Sequence, residues 1–112
     1  MKPTTEILLS AAFALTPPEN WNQGRLGLDR DGVYVEPTSR LAVSWCALGA
    51  IDAAGGNRKE LTTIAAVSAL ANVIPRDADE GARWAVARFN NTHAHAEVLD
   101  ALYRAAEIAE SA

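Results

Sequence analysis

A single cysteine, Cys46, among 112 residues leaves no partner for an internal disulfide, so nothing in this chain is held together the way a small secreted scaffold is. Histidine is nearly as scarce, with two residues, His93 and His95, and no CxxC, HExxH or EF-hand spacing surrounds either of them. No metal site and no cofactor is expected. Basic residues are outnumbered, ten against fourteen acids for a net charge of −4, and they form no run that could collect phosphates. That excludes a general nucleic-acid or anionic-membrane binder. Long hydrophobic runs are missing too. Ser44, Asp52 and Gly55-Gly56 interrupt the best candidate well before the roughly 18 to 20 apolar residues that a bilayer crossing needs. The N-terminal residues lack the charged start, unbroken apolar stretch and small-residue cleavage site of a secretory signal, and a cytoplasmic location is the expectation. Internal repeats and low-complexity linkers are also absent.

What the chain does have is alanine and a hydrophobic fraction of 49%, enough for one core in one domain spanning residues 1–112. Pro3 with Thr4, Thr5 and Glu6 reads as a helix start, and Leu8, Leu9, Ala12, Phe13 and Leu15 repeat at helical spacing up to the stop at Pro17-Pro18. Between Glu19 and Pro37 the pattern changes. Leu26 and Leu28, then Val33 and Val35, alternate with polar residues around the turn signal Asp29-Arg30-Asp31-Gly32, which predicts a short β-hairpin near residues 24–35. From Leu41 to Ala54 only Ser44 and Asp52 are polar. A helix beginning near Thr38 or Ser39 and capped by Gly55-Gly56 would be apolar nearly all round, hence central, with Leu41, Trp45, Leu48 and Ile51 in the core.

A third helix is expected from about Lys59 to Ile74, burying Ile64, Val67, Leu70, Ala71 and Ile74 and ending at Pro75. Asp77 and Glu80 have capping-box spacing ahead of a fourth helix with Ala82, Ala85, Val86 and Phe89 on one face. Asn90-Asn91-Thr92 breaks the chain, and a last helix from about Thr92 to Ala109 buries Val98, Leu99, Leu102, Tyr103 and Ala106, with Asp100 and Arg104 spaced for an ion pair. The predicted class is mainly α, or α+β by virtue of the hairpin: a bundle of about five helices.

Trp45-Cys46-Ala47-Leu48-Gly49-Ala50-Ile51, Val86-Ala87-Arg88-Phe89-Asn90-Asn91, His95-Ala96-Glu97-Val98-Leu99 and Arg104-Ala105-Ala106 together resemble a family of small bacterial and phage proteins of unknown function. Members of that family read Cys-Cys-Ala-x-Gly-Ala and Asn-Asp where this chain has Trp45-Cys46 and Asn90-Asn91. Both differences take away a potential ligand or acid. The resemblance implies fold boundaries and a phage or bacterial origin, and no activity.

Chemistry can be sought at three places. Cys46 with His95 and Asn91 would form a Cys-His-Asn arrangement for a small cysteine-dependent hydrolase or transferase. However, a thiol in the middle of an apolar helix lacks the electropositive, partly open setting that stabilises a thiolate, so the plainer reading is a buried structural cysteine. His93 and His95 read as residues of a helix's first turn, one solvated and one half-buried with its ring hydrogen-bonded. Gly24, Gly27 and Gly32 lie across the hairpin rather than between a strand and a helix, so they form no phosphate loop.

Trp84 falls well off the apolar face of its helix and Trp21 follows a helix-breaking segment, and tryptophans outside a core are enriched at binding interfaces. The plainer reading of both is that each indole folds back over a core edge. Asp29, Asp31 and Glu36 on the hairpin read as the charges of a solvated turn, not as an acidic catalytic cluster, which would need two carboxylates in different environments at the floor of a cleft. The leading expectation is therefore a non-enzymatic protein that binds another protein through Trp84, Trp21 and the 29–31 turn, in its narrowest form an inhibitor of a host defence system such as an anti-CRISPR. A homodimer joined through the alanine-rich helical face is a further reading.

Overall fold

The structure, a computed structural model, describes residues 1–112 and contains five α-helices and one short 3-10 turn. The helices are α1 (Pro3–Leu15), α2 (Ala47–Gly55), α3 (Leu61–Ala71), α4 (Ala82–Thr92) and α5 (His95–Ser111), and the 3-10 turn is Pro18–Asn20. α1 packs against α5, α2 and α3, while α4 packs mainly on α3 and also touches α2 and α5. Leu8, Leu15, Ile51, Leu70 and Leu102 are fully buried, with Val67, Val86 and Val98 filling between them. Buried alanines, among them Ala11, Ala12, Ala50, Ala66, Ala85, Ala101 and Ala105, let the helix axes approach closely and explain the alanine-rich composition. No helix is long and apolar enough to cross a membrane.

The expected helical faces of α4 and α5 are present, with Ala85, Val86 and Phe89 buried on one and Val98, Leu102 and Ala106 on the other. Several single positions differ. Phe13 is 80% exposed, and Ile64 and Tyr103 are each 48% exposed, because Phe13 falls on the side of α1 away from Leu8, Ala11, Ala12 and Leu15, Tyr103 on the side of α5 away from Val98, Ala101, Leu102 and Ala105, and Ile64 at the edge of the buried face of α3. Ile74 is buried as expected, but α3 has already ended at Ala71. Asp77 and Glu80 do form a turn, with the Asp77 N–H donating to Glu80 Oε1 at 3.3 Å, yet α4 begins only at Ala82. The Glu80 carboxylate is drawn instead to Arg88.

The largest correction concerns residues 24–46. No β-hairpin forms. Leu28 makes one isolated bridge to Tyr34 and another to Ser44, Trp21 makes one to Trp45, and no ladder extends from any of them. The Asp29–Gly32 turn is present, with the Asp29 carboxylate accepting from the N–H groups of Asp31 and Val33, both at 2.9 Å. It closes in a single bridge rather than a ribbon: only Asp29 N–H to Val33 O and Val35 N–H to Gly27 O join its two sides, while Leu28 gives its N–H to Ser44 O and its carbonyl accepts from Val43 N.

The same pairing overturns the long central helix. Residues 38–46 lie outside any helix, α2 starts at Ala47, and Leu41 is 66% exposed instead of buried. Trp45 is half-buried, its indole N–H donating to the Pro37 carbonyl at 2.9 Å. An apolar run without helical period fits an extended segment as well as a buried helix, and here backbone pairing with Leu28 decides for the former. Leu48 and Ile51 occupy the core as expected, and Gly56, at φ 85°, ends α2 in the left-handed conformation that glycine adopts without steric cost.

Candidate functional site

The start of α2 organises the functional region. Cys46 is its N-cap, with Sγ accepting from the Gly49 N–H at 3.4 Å, so the thiol stands at a helix N-terminus and not in mid-helix. It is also 5% exposed. Burial pushes the thiol's pKa up, and the Gly49 N–H, acting in the opposite sense, offsets only part of that rise. Gly49 has a second role. A Cβ there would collide with the Leu26 carbonyl, so glycine lets the 24–28 loop lie directly on α2.

Asn90, fully buried on α4, ties the pieces together. Its Oδ1 accepts from the Trp21 indole N–H at 2.7 Å and from the Ala47 N–H at 2.9 Å. Its Nδ2 donates to the Asn22 carbonyl and to Asn91 Oδ1, both at 3.1 Å. All four positions of the amide are used, joining α4, the N-terminus of α2 and the loop after α1. Sequence reading treated Asn90 as part of a chain break. Its only advance sign was an amide next to a face of apolar residues.

Asp52 is a further buried polar group in this region. Arg83 grips it with both ends of its fork, Nη1 to Oδ1 at 2.9 Å and Nη2 to Oδ2 at 2.7 Å, and the carboxylate in turn holds the guanidinium's pKa up. Beside this pair a cavity of about 280 Å³ opens between Gly24–Leu26, the start of α2 and α4, lined among others by Cys46, Leu48, Arg58, Arg83 and Asn91. The three arginines that meet there, Arg25, Arg58 and Arg83, come from three separate segments, and sequence reading singled out none of them.

The hydrolase arrangement is only partly assembled. Cys46 and Asn91 line this cavity, but His95 is not among its walls. His95 Nε2 pairs with the Leu15 carbonyl at 2.6 Å and its ring lies 5.4 Å from that of Trp21, while no hydrogen bond joins it to Cys46. His93 stacks on Phe89 with ring centroids 3.9 Å apart and pairs with the Phe89 carbonyl. No three His, Cys, Asp or Glu side chains converge in the molecule.

The expected binding residues separate into two kinds. Trp84 is 71% exposed on α4, whereas Trp21 is half-buried with its N–H committed to Asn90. Asp29 is consumed by its own turn, while Arg30 and Asp31 are exposed and without an ion-pair partner. None of the three is hydrogen-bonded to α4. Near Trp84, Ile64 of α3 shares a small groove with Ala82 and Arg83, and Arg88, one helical turn on, is forked to Glu80 at 2.8 Å.

No curated relative and no solved structure matches the chain. Residues 1–108 match a family of unknown function, DUF6197, across nearly the whole length, and the chain belongs to that family.

Proposed function

We propose that this is a non-enzymatic binding protein that engages another protein through the outer face of α4, with Trp84 as its apolar anchor. The observation that carries the reading is the exposure of Trp84, 71%, on a helix whose opposite face is locked in the core by Ala85, Val86 and Phe89. An indole has only two side-chain torsions to lose on binding, so it gains more from a partner's pocket than a longer, more flexible side chain does. Tryptophan and arginine dominate interface hot spots, and Arg88 lies one turn along the same helix from Trp84. The narrower form, an inhibitor of a host defence system such as an anti-CRISPR, has in its support only small size, a net charge of −4 and the resemblance to small bacterial and phage proteins.

The test is photo-crosslinking from position 81, one turn before Trp84, where an added side chain meets nothing, with the exposed position 13 as control, each in the wild-type and the Trp84→Ala background. A protein crosslinked from 81 but not from 13, and lost with Trp84→Ala, supports the reading. A protein captured equally well without the indole overturns it. Were the crosslinked species a second copy of this 11.9 kDa chain, the binding partner would be the protein itself and the hetero-partner reading would fail.

A further inference from the structure

The cavity beside the Asp52–Arg83 pair has a composition opposite to that of the whole chain. Acids outnumber bases fourteen to ten overall, yet the nine residues that line it include three arginines and no carboxylate. Arg83 has its charge matched by Asp52 from behind. Arg25 and Arg58 have no such match: the ion pairs of the molecule involve Arg83, Arg88 and Arg104, and the Arg25 guanidinium donates only to the carbonyl of its neighbour Gly24, at 3.3 Å. A second cavity of about 360 Å³ shares Leu26 and Arg58 with the first, but Glu36 and Asp52 line it beside Lys59, so it is not uniformly positive. Arg25 and Arg58 therefore border the first cavity without an ion-pair partner of their own.

Beneath this rim the wall is apolar, formed by Leu26, Leu48 and Ala87. Like charges gathered at the mouth of a low-dielectric recess repel one another, and an incoming oxyanion relieves that repulsion while gaining charge-assisted hydrogen bonds. Guanidinium groups favour this because their forked donors match the two oxygens of a carboxylate or the edge of a phosphate. A volume near the lower end of the range for small-molecule pockets limits the rest of the ligand to a single ring or a short aliphatic chain.

We infer that this cleft binds a small organic oxyanion, a carboxylate or phosphate group carried on a compact apolar body. The charged group is met by Arg25 and Arg58, and the apolar body lies against Leu26 and Leu48. Arg83, already oriented by Asp52, completes the positive wall. The site is distinct from the exposed face of Trp84, which is not part of the lining.

The experiment is an amide-resolved NMR titration of the full chain with phenyl phosphate, benzoate and neutral benzyl alcohol. Phenyl phosphate or benzoate should give saturable shifts at Arg25, Leu26, Leu48 and Ala87, and benzyl alcohol should give none. Arg25→Gln with Arg58→Gln should weaken that binding by at least about tenfold, since two charge-assisted contacts are removed. Arg40→Gln, at an exposed position outside the cleft, should leave it unchanged. Absence of saturation by either anion up to roughly 10 mM, equal binding of benzyl alcohol, or an undiminished affinity in the double variant would each overturn the inference. The comparison of charged and neutral probes on the wild-type chain decides the question even if the double variant is unstable.

Discussion

Removing the Asn90 amide should unlock the loop between α1 and α2. In Asn90→Ala two donors lose their acceptor together, the Trp21 indole N–H at 2.7 Å and the Ala47 N–H at 2.9 Å, and the Asn22 carbonyl loses its donor. A buried polar group left without a partner costs about 1–3 kcal/mol; the Ala47 N–H is fully buried, whereas Trp21 and Asn22 are half-buried and water can reach their freed groups, so the three losses should sum to about 3–5 kcal/mol. At about 4 °C per kcal/mol for a domain of this size, the melting temperature should fall by roughly 12–20 °C. Urea melts followed by tryptophan emission would read the loss directly. Asn91→Ala, at an exposed position whose only link here is to Asn90, should cost less than about 1 kcal/mol. Asn90→Asp keeps the Oδ1 acceptor but turns an oxygen toward Asn22 O and Asn91 Oδ1. Its carboxyl pKa should be raised in the fold, so its deficit should be smallest at acid pH and grow as pH rises through that raised value. A loss under about 1 kcal/mol for Asn90→Ala would refute the claim that this amide holds the region together.

Leu48→Ala, which empties a core position 6% exposed, should cost about 2–5 kcal/mol in the same melts, and less than about 1 kcal/mol would mean that α2 is not central. Cys46 should react slowly with iodoacetamide in the native state and rapidly in denaturant, because burial raises its thiol; fast native labelling would contradict this and favour the hydrolase reading. Glu80, hydrogen-bonded by Arg88, and Glu110, which accepts the Lys2 N–H at 2.9 Å, both titrate below the ordinary carboxylate value. Their stabilising contribution is therefore present above that ordinary value and lost as pH falls through the lowered ones. Arg88→Gln should flatten the Glu80 part of that acid limb, and an unchanged acid melt would show the pair to be inconsequential.

Helical faces were legible where spacing was regular, as with Ala85, Val86 and Phe89 or Val98, Leu102 and Ala106. Leu41–Trp45 was not, because an unbroken apolar run carries no period, and the partner that makes it extended, Leu28, is distant in sequence. The hairpin failed for the same reason: alternation of Leu26, Leu28, Val33 and Val35 fits two strands, but Leu28 gives its own N–H and carbonyl to residues 43–44, and only Gly27 and Asp29 bond to the 33–35 side. Misplacing the start of α2 also misplaced Cys46, which caps the helix. The arginine-lined cleft was invisible in sequence, since Arg25, Arg58 and Arg83 come from separate segments and meet only through packing. Its one trace was Asp52, a lone acid in an apolar stretch, whose partner Arg83 lies 31 residues away.

The central claim is that Trp84 serves a partner and not the fold. With the partner identified by crosslinking and purified, calorimetric titration of wild type against Trp84→Ala tests it most directly. The account predicts an affinity loss of at least about thirtyfold, corresponding to roughly 2 kcal/mol for an interface anchor, with a melting temperature within about 2 °C of wild type. An unchanged affinity, or a fall in melting temperature large enough to show that the indole supports the bundle, would contradict it.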